Sequence, residues 1–377
     1  MARLRVAVLA PLRYPICQPF AGGLESAIWN EVRHLRDAGH RVSLVAVEGS
    51  DFLDEGIPQF TLPAVRWPEG SDPDEVGYPV GYLERALPRL HAALDHIQRN
   101  AGEFDIISNH CLHPLPLQRA ADLGVPMVST LHTPVLDNLV SAHHLSAEPR
   151  SRFIAVSAHT ASEWQRADIP SVVLPNAIAV DDWPLGDGGD RLLWFGRLVP
   201  EKGAHLAIDA ARLLGRPIDV VGRVADRAYV ANEITPRLGD DVRLLDAVDR
   251  AGLARLIGGS ACALVTPLWD EPFGLVAPEA LTCGTPVAAF RSGGLVEVAE
   301  RAYGIETAPV GDVAALAEVA ARLIGCAERD RNFRATVRRT AVEQFSWASR
   351  MSALEALFRD VISATSMAAA RRMEVSA

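Results

Sequence analysis

The order of apolar runs constrains this chain more than any single motif does. Short hydrophobic segments alternate with helical stretches, and the alternation stops once and restarts. Residues 4–10 (LRVAVLA), 41–47 (RVSLVAV), 104–108 (FDIIS), 126–132 (PMVSTLH), 153–157 (FIAVS) and 171–176 (SVVLPN) read as strands. Between the first two, Leu24, Ile28, Val32 and Leu35 recur at three- and four-residue spacing and define a helix over about 24–38, which Gly39 ends. Apolar strands separated by amphipathic helices form a parallel sheet covered on both faces. Residues 177–190 (AIAVDDWPLGDGGD) are rich in Gly, Asp and Pro and read as a linker. After it the pattern begins again, with strands over 192–197, 217–222 and 242–245 and helices over 203–215, near 227–238 and near 249–257. At 377 residues the chain exceeds one ordinary core. Two doubly wound α/β domains facing each other across a ligand cleft are the expected architecture.

The stretch 264–290, LVTPLWDEPFGLVAPEALTCGTPVAAF, carries the most chemistry. Ala263, Leu264 and Val265 read as a buried strand, followed by the turn Trp269-Asp270-Glu271-Pro272-Phe273-Gly274. A short helix comes next, with Pro278 in its first turn and Gly284 stopping it, and Val287–Phe290 read as the next strand. Such a strand–turn–helix aims backbone N–H groups at whatever lies above the sheet, which suits a phosphate. Glu271 and Glu279, eight residues apart, suit a ligand that also carries sugar hydroxyls, because carboxylates accept hydrogen bonds and hydroxyls donate them. Two solvated surface charges are the plainer alternative.

Charge narrows the function classes. The net charge of −10 argues against a generic nucleic-acid or anionic-membrane binder. No apolar run reaches spanning length, and MARLRVAVLAPLR reads as a first strand rather than a signal peptide. Cysteines 17, 111, 262, 283 and 326 are odd in number, scattered and without a CxxC pair, which fits a reduced cytoplasmic protein without structural zinc. Of 37 basic residues 36 are arginine, and the one lysine is Lys202. In so biased a chain a lysine is expected to serve as a compact ammonium donating to phosphate oxygens.

Other candidates are weighed by position. His132 follows a strand at the edge where open α/β sheets bind ligands, whereas His110 and His113 read as packing residues. Gly22-Gly23 permits either a close backbone approach to a ligand or a plain tight turn, and the absence of GxGxxG counts against a dinucleotide-binding dehydrogenase. Residues 48–79 read as a surface excursion, and Asp72-Pro73-Asp74 within them as a solvated turn rather than a metal site. Arg85, Arg89, His96 and Arg99 on the helix over 80–99 read as a solvated face rather than a membrane surface. The mostly helical tail, 311–370, shows nothing catalytic.

These residues resemble the family 4 retaining glycosyltransferases, which have the two-domain GT-B fold of Rossmann-like halves. AGGLE (21–25), FGRLVPEKG (195–203), EPFGLVAPEALTCGTPVAAF (271–290) with an E-x7-E pattern, GGLVEV (293–298) and FSW (345–347) carry the likeness, and VGRVADRAYV (221–230) resembles a subgroup. The resemblance implies an acceptor-side domain over 1–183, a donor-binding domain over 184–349, and a last helix near 350–370 crossing back onto the first domain. It implies that Arg197 and Lys202 grip the donor diphosphate and that Glu279 accepts hydrogen bonds from ribose hydroxyls. Glu271 would contact the transferred sugar, with the N–H groups of Phe273, Gly274 and Leu275 nearby. His132 would lie close to the reacting carbon, and Gly22-Gly23 would close over the phosphates or shape the acceptor entrance. Gly222 would border the donor. The implied reaction is a metal-independent, retaining transfer, of a hexose by expectation, from a nucleotide-diphosphate sugar to an acceptor hydroxyl, without a cofactor. The implied partners are that donor and a small-molecule, glycan or lipid-linked acceptor, with no nucleic acid or membrane. Two departures touch donor identity: Val296 replaces the proline of many relatives, and Asp246 stands where the subgroup often has glycine. A non-catalytic nucleotide-sugar-binding subunit and a sugar-nucleotide epimerase are the alternatives on this fold.

Overall fold

A computed structural model describes residues 3–68, 77–146 and 151–376 of the chain, so Asp72-Pro73-Asp74 lies outside the described residues. The first sheet contains β1 (Arg5–Leu9), β2 (Arg41–Val47), β3 (Thr61–Leu62), β4 (Ile106–Asn109), β5 (Met127–Leu131), β6 (Ser151–Ala155) and β7 (Ser171–Val173), in the order β3-β2-β1-β4-β5-β6-β7. The second contains β8 (Leu192–Phe195), β9 (Ile218–Val221), β10 (Val242–Leu245), β11 (Cys262–Val265), β12 (Val287–Phe290) and β13 (Ile305–Ala308), in the order β10-β9-β8-β11-β12-β13. Every neighbouring pair is parallel, for example Val6 opposite both Val42 and Ile106. Both orders reverse beside the first strand of their half, which opens a crevice at the strand ends.

Helices cover the sheet faces. The first half holds α1 (Gly23–Asp37), α2 (Tyr82–Arg99), α3 (Leu115–Arg119), α4 (Asp137–His144) and α5 (Ala158–Gln165). The second holds α6 (Ala204–Leu213), α7 (Arg227–Tyr229), α8 (Arg250–Gly258), α9 (Val276–Thr282), α10 (Leu295–Arg301), α11 (Val313–Arg329) and α12 (Phe333–Phe345). The final helix, α13 (Trp347–Ser376), returns to the first half. Its Leu354, Phe358 and Val361 share a core with Val6, Val8, Ile28 and Val32. Its Glu355 accepts from His40 Nε2 at 3.0 Å, while His40 Nδ1 accepts from the N–H of Leu4.

Two expectations change. The excursion over 48–79 is not all surface: β3 pairs with the end of β2, and Phe60 and Leu62 are fully buried in the core beneath α2. Two apolar side chains among prolines and glycines suffice to extend the sheet. The helix near 227–238 is one turn of α7, a wide turn over Val230–Ile234 and a tight turn over Thr235–Arg237. Pro236 has no N–H to donate and crowds the carbonyl four residues earlier, so a regular helix cannot continue.

Specific contacts lock the halves together. Ser157 and Thr160, at the start of α5, donate to the carbonyl of Pro272 at 2.6 and 3.2 Å. Glu297 on α10 accepts from the N–H groups of Ala158 and His159 at 2.8 and 2.7 Å. Arg250 pairs with Asp182, reaches Asn30 and Ser26 on α1, and lies 4.9 and 5.0 Å from the rings of Phe20 and Trp29. Among the described residues no helix is long and apolar enough to cross a membrane, and all five cysteines are unpaired.

Candidate functional site

A cavity of about 890 Å³ lies between the two sheets, walled by residues that follow β1, β5, β8, β9 and β11. Every candidate residue lines it: Gly22, Gly23 and His132 from the first half, and Arg197, Lys202, Gly222, Glu271, Phe273, Gly274, Leu275 and Glu279 from the second. The sequence separates these groups widely. The topology gathers them because each lies on the loop or at the start of the helix that follows a strand.

Local chemistry fixes the second-half wall. The turns after β8 and β9 cross so closely that a Cβ on Gly222 would stand 1.8 Å from the carbonyl oxygen of Gly196, so only glycine fits. Thr266, after β11, donates to the carbonyl of Gly203 at 2.8 Å and accepts from Trp194 Nε1 at 3.0 Å, which fastens the Lys202 loop to the sheet. Lys202 Nζ then donates to Glu271 Oε2 at 2.5 Å and lies 4.9 Å from the ring of Trp269. Trp269 Nε1 donates to the same carboxylate oxygen at 3.0 Å. The GGLVEV segment shapes the Glu271 turn: the N–H of Gly294 reaches the Glu271 carbonyl at 2.7 Å, and Gly293, at φ +49°, leaves no room for a Cβ beside it.

Glu279 stands in α9 on the cavity wall. Desolvation pushes its carboxyl up to about 8, against the pull of the Arg250 charge, so it is largely protonated at neutral pH without a ligand. Arg197 lies along the same wall, with Nη2 4.0 Å from Glu201. The wall therefore combines an ammonium, a guanidinium, one carboxylate group that accepts from two donors, and one carboxyl ready to ionise against hydroxyl donors.

On the opposite wall Gly22 precedes and Gly23 opens α1, and a Cβ on Gly23 would lie 3.3 Å from Leu275 of the other half. His132 Nε2 contacts His110 Nδ1 at 2.8 Å, and His110 Nε2 contacts Glu31 Oε1 at 3.0 Å. Burial holds the His132 ring well below the ordinary histidine value, helped by the Arg350 charge. Burial pushes Glu31 up, but its interactions with His110, Arg350 and Ser108 outweigh this and hold it at about 2.

Several wall or support residues escape a sequence reading. Arg13, Tyr14 and Arg223 border the cavity, with the Arg223 guanidinium 5.2 Å and that of Arg13 5.7 Å from the Tyr14 ring centre. Glu31 looks like any helical glutamate, and Arg350 lies in a tail with no catalytic signature, yet both are buried behind His132. His110 is indeed buried, but it is bonded to His132. His113 accepts from the N–H of Leu115 and supports α3. Asp246 is exposed and does not line the cavity, whereas its neighbours Ala247 and Val248 do. Among the described residues no group of three or more His, Cys, Asp or Glu is arranged to hold a metal.

Comparison with known proteins agrees with this geometry. The family model "Glycosyl transferases group 1" matches residues 180–340, and "Glycosyltransferase Family 4" matches residues 21–182. The D-inositol 3-phosphate glycosyltransferase of Gordonia bronchialis is 30% identical over 409 residues, covering 93% of this chain and 87% of that protein. The phosphatidyl-myo-inositol mannosyltransferase of Mycolicibacterium smegmatis is 28% identical over 379 residues, covering 92% and 91%. The crystal structure of Anabaena HepE in complex with UDP and glucose superposes with a TM-score of 0.71 at 20% identity, covering 95% of this chain and all of that one, and shows the same GT-B fold. With two parallel α/β halves around one cleft and relatives matched along nearly its whole length, this chain belongs to the family 4 glycosyltransferases.

Proposed function

We propose that this glycosyltransferase moves a hexose from a nucleotide-diphosphate sugar to an acceptor hydroxyl, with retention at the anomeric carbon and without a metal ion. The observation that carries the reading is the Lys202–Glu271 pair at 2.5 Å, set beside Arg197 and Glu279 and facing His132 across one cavity. Departure of the nucleotide adds negative charge to its diphosphate. Arg197, the two remaining Lys202 N–H bonds and the N–H groups of Phe273, Gly274 and Leu275 meet that charge. Each such donor can contribute ~2.7–4 kcal/mol to the transition state. Glu279 ionises as ribose hydroxyls donate to it. Glu271, already accepting from Lys202 and Trp269, is a weak nucleophile and orients the sugar instead. A front-face route, in which the leaving phosphate takes the acceptor's proton, therefore suits the site better than double displacement.

On this reading residues 1–183 form the acceptor side together with the helix over 350–370, and residues 184–349 hold the donor. The relatives' printed substrates, D-inositol 3-phosphate and phosphatidyl-myo-inositol, share a phosphorylated inositol, which makes inositol phosphate the first acceptor to try. Unpaired cysteines support a reducing, cytoplasmic setting.

The test is thermal unfolding of the wild type and Lys202→Ala with UDP, GDP and ADP in the presence of a chelator. A nucleotide at 100 times its dissociation constant adds ~2.7 kcal/mol of stability. One nucleotide stabilising the wild type and not the variant is the expected result. No stabilisation by any of them, or transfer that stops when the chelator is added, would overturn the reading.

A further inference from the structure

Behind His132 the first half buries a chain of polar groups that the proposed transfer does not use. Glu31 comes from α1, Ser108 and His110 from the end of β4, His132 from the end of β5 and Arg350 from α13. The side chains of Glu31 and His110 are 2% and 1% exposed. Buried charge is tolerated only where its partners are complete. Here the partners also decide where each proton sits.

Ionised Glu31 can only accept. The Ser108 hydroxyl donates to its Oε1 at 2.6 Å, and His110 Nε2, at 3.0 Å from the same oxygen, must also bring a proton. His110 Nδ1 and His132 Nε2 lie 2.8 Å apart, so one proton bridges them. It belongs either to a doubly protonated His110 or to His132. Arg350 already places a positive charge 3.9 Å from Glu31 Oε2 and balances it. A charged His110 would leave the buried group with a net positive charge, so the proton belongs to His132. His132 Nδ1 has no hydrogen-bond partner among the described residues, and the residue lines the cavity.

We propose that Glu31 and His110 are positioning residues: the Glu31–His110–His132 chain fixes the His132 hydrogen on Nε2 and turns the Nδ1 lone pair to the cleft, as acceptor for a hydroxyl of the transferred sugar. The identity of that hydroxyl rests on the function proposed above; the tautomer does not. The device suits the chemistry, since an imidazolium there would oppose the positive charge that develops on the sugar ring, while a neutral acceptor does not. A carboxylate setting a histidine's tautomer from behind is a general way of orienting an imidazole.

The experiment is a long-range proton–nitrogen correlation spectrum of the full chain, labelled with 15N-histidine and free of ligand, with His132 assigned by His132→Gln. A pyridine-type Nδ1 and a pyrrole-type Nε2, unchanged from about pH 6 to 8, are expected. In Glu31→Gln or His110→Gln the two tautomers of His132 should mix. Glu31→Gln should lower kcat for sugar transfer ~10–100-fold, the range found for the outer partners of metal-bound histidines, with the donor KM nearly unchanged. A pyrrole-type Nδ1, an imidazolium signature across that pH range, or a His132 spectrum indifferent to both substitutions would overturn the proposal. The expected wild-type spectrum without turnover of any nucleotide sugar would uphold the tautomer and sink only the donor assignment. Should Glu31→Gln fail to fold, the wild-type and His110→Gln spectra decide alone.

Discussion

Replacing Glu279 with Gln should make the ligand-free protein more stable at neutral pH while abolishing tight nucleotide binding. The carboxyl, ordinarily near 4.5, is pushed up to about 8 by desolvation in the cleft wall. Between these values the folded chain holds a proton that the unfolded chain has lost, so stability falls as pH rises across that window, by ~1.4 kcal/mol per pH unit. By pH 7 the accumulated penalty is about 3 kcal/mol, and above pH 8 it levels off at somewhat under 5. Gln at 279 keeps the shape, does not titrate and carries no such penalty. Arg250 keeps its contacts with Asp182 and Asn30 in the variant. Urea unfolding at a series of pH values checks this: the two proteins should agree near pH 4.5 and diverge steadily to pH 8, the variant being the more stable. Parallel curves, or a variant less stable than wild type at pH 7, would show that Glu279 is already ionised in the free protein. The same proton offers a second readout. Hydroxyl donors favour the ionised carboxylate, so nucleotide binding at pH 7 should release nearly one proton, measurable by calorimetry in two buffers of different ionisation heat.

Lys202→Met should leave Glu271 with Trp269 as its remaining donor, destabilise the fold by ~1–3 kcal/mol in chemical denaturation and remove transfer activity. Gly222→Ala should cost more than ~3 kcal/mol, read as a fall in Tm, because its Cβ would overlap the Gly196 carbonyl. Glu297→Ala should weaken the closed arrangement by ~1 kcal/mol through loss of its bonds to Ala158 and His159, seen as a larger radius of gyration in solution scattering.

The second-half wall of the cleft was legible in the sequence because its parts lie in short, ordered segments. Glu271, Gly274 and Glu279 sit within one strand–turn–helix, and Lys202 stands out as the only lysine. The support behind His132 was not legible. Glu31, His110 and Arg350 come from three distant elements, and nothing in the periodicity of α1 separates buried Glu31 from a solvated glutamate. β3 was hidden for a different reason: two residues are too few to show a period of two, and tertiary burial of Phe60 and Leu62 makes the strand. The broken helix after Arg227 shows how a single proline overrides an otherwise helical pattern.

The return of α13 to the first half has a consequence for synthesis. Residues 4–46 leave the ribosome first, yet their apolar face around Val6, Ile28 and Val32 gains part of its cover, Leu354, Phe358 and Val361, only at the end of synthesis. Throughout translation of the second half that part of the face stays open to water and to other nascent chains. A chain stopped near residue 345 would carry both complete sheets and most of the cleft, yet lack part of the cover of its oldest core. Such a truncation should aggregate rather than bind nucleotide, and adding residues 347–367 as a separate peptide should recover soluble protein.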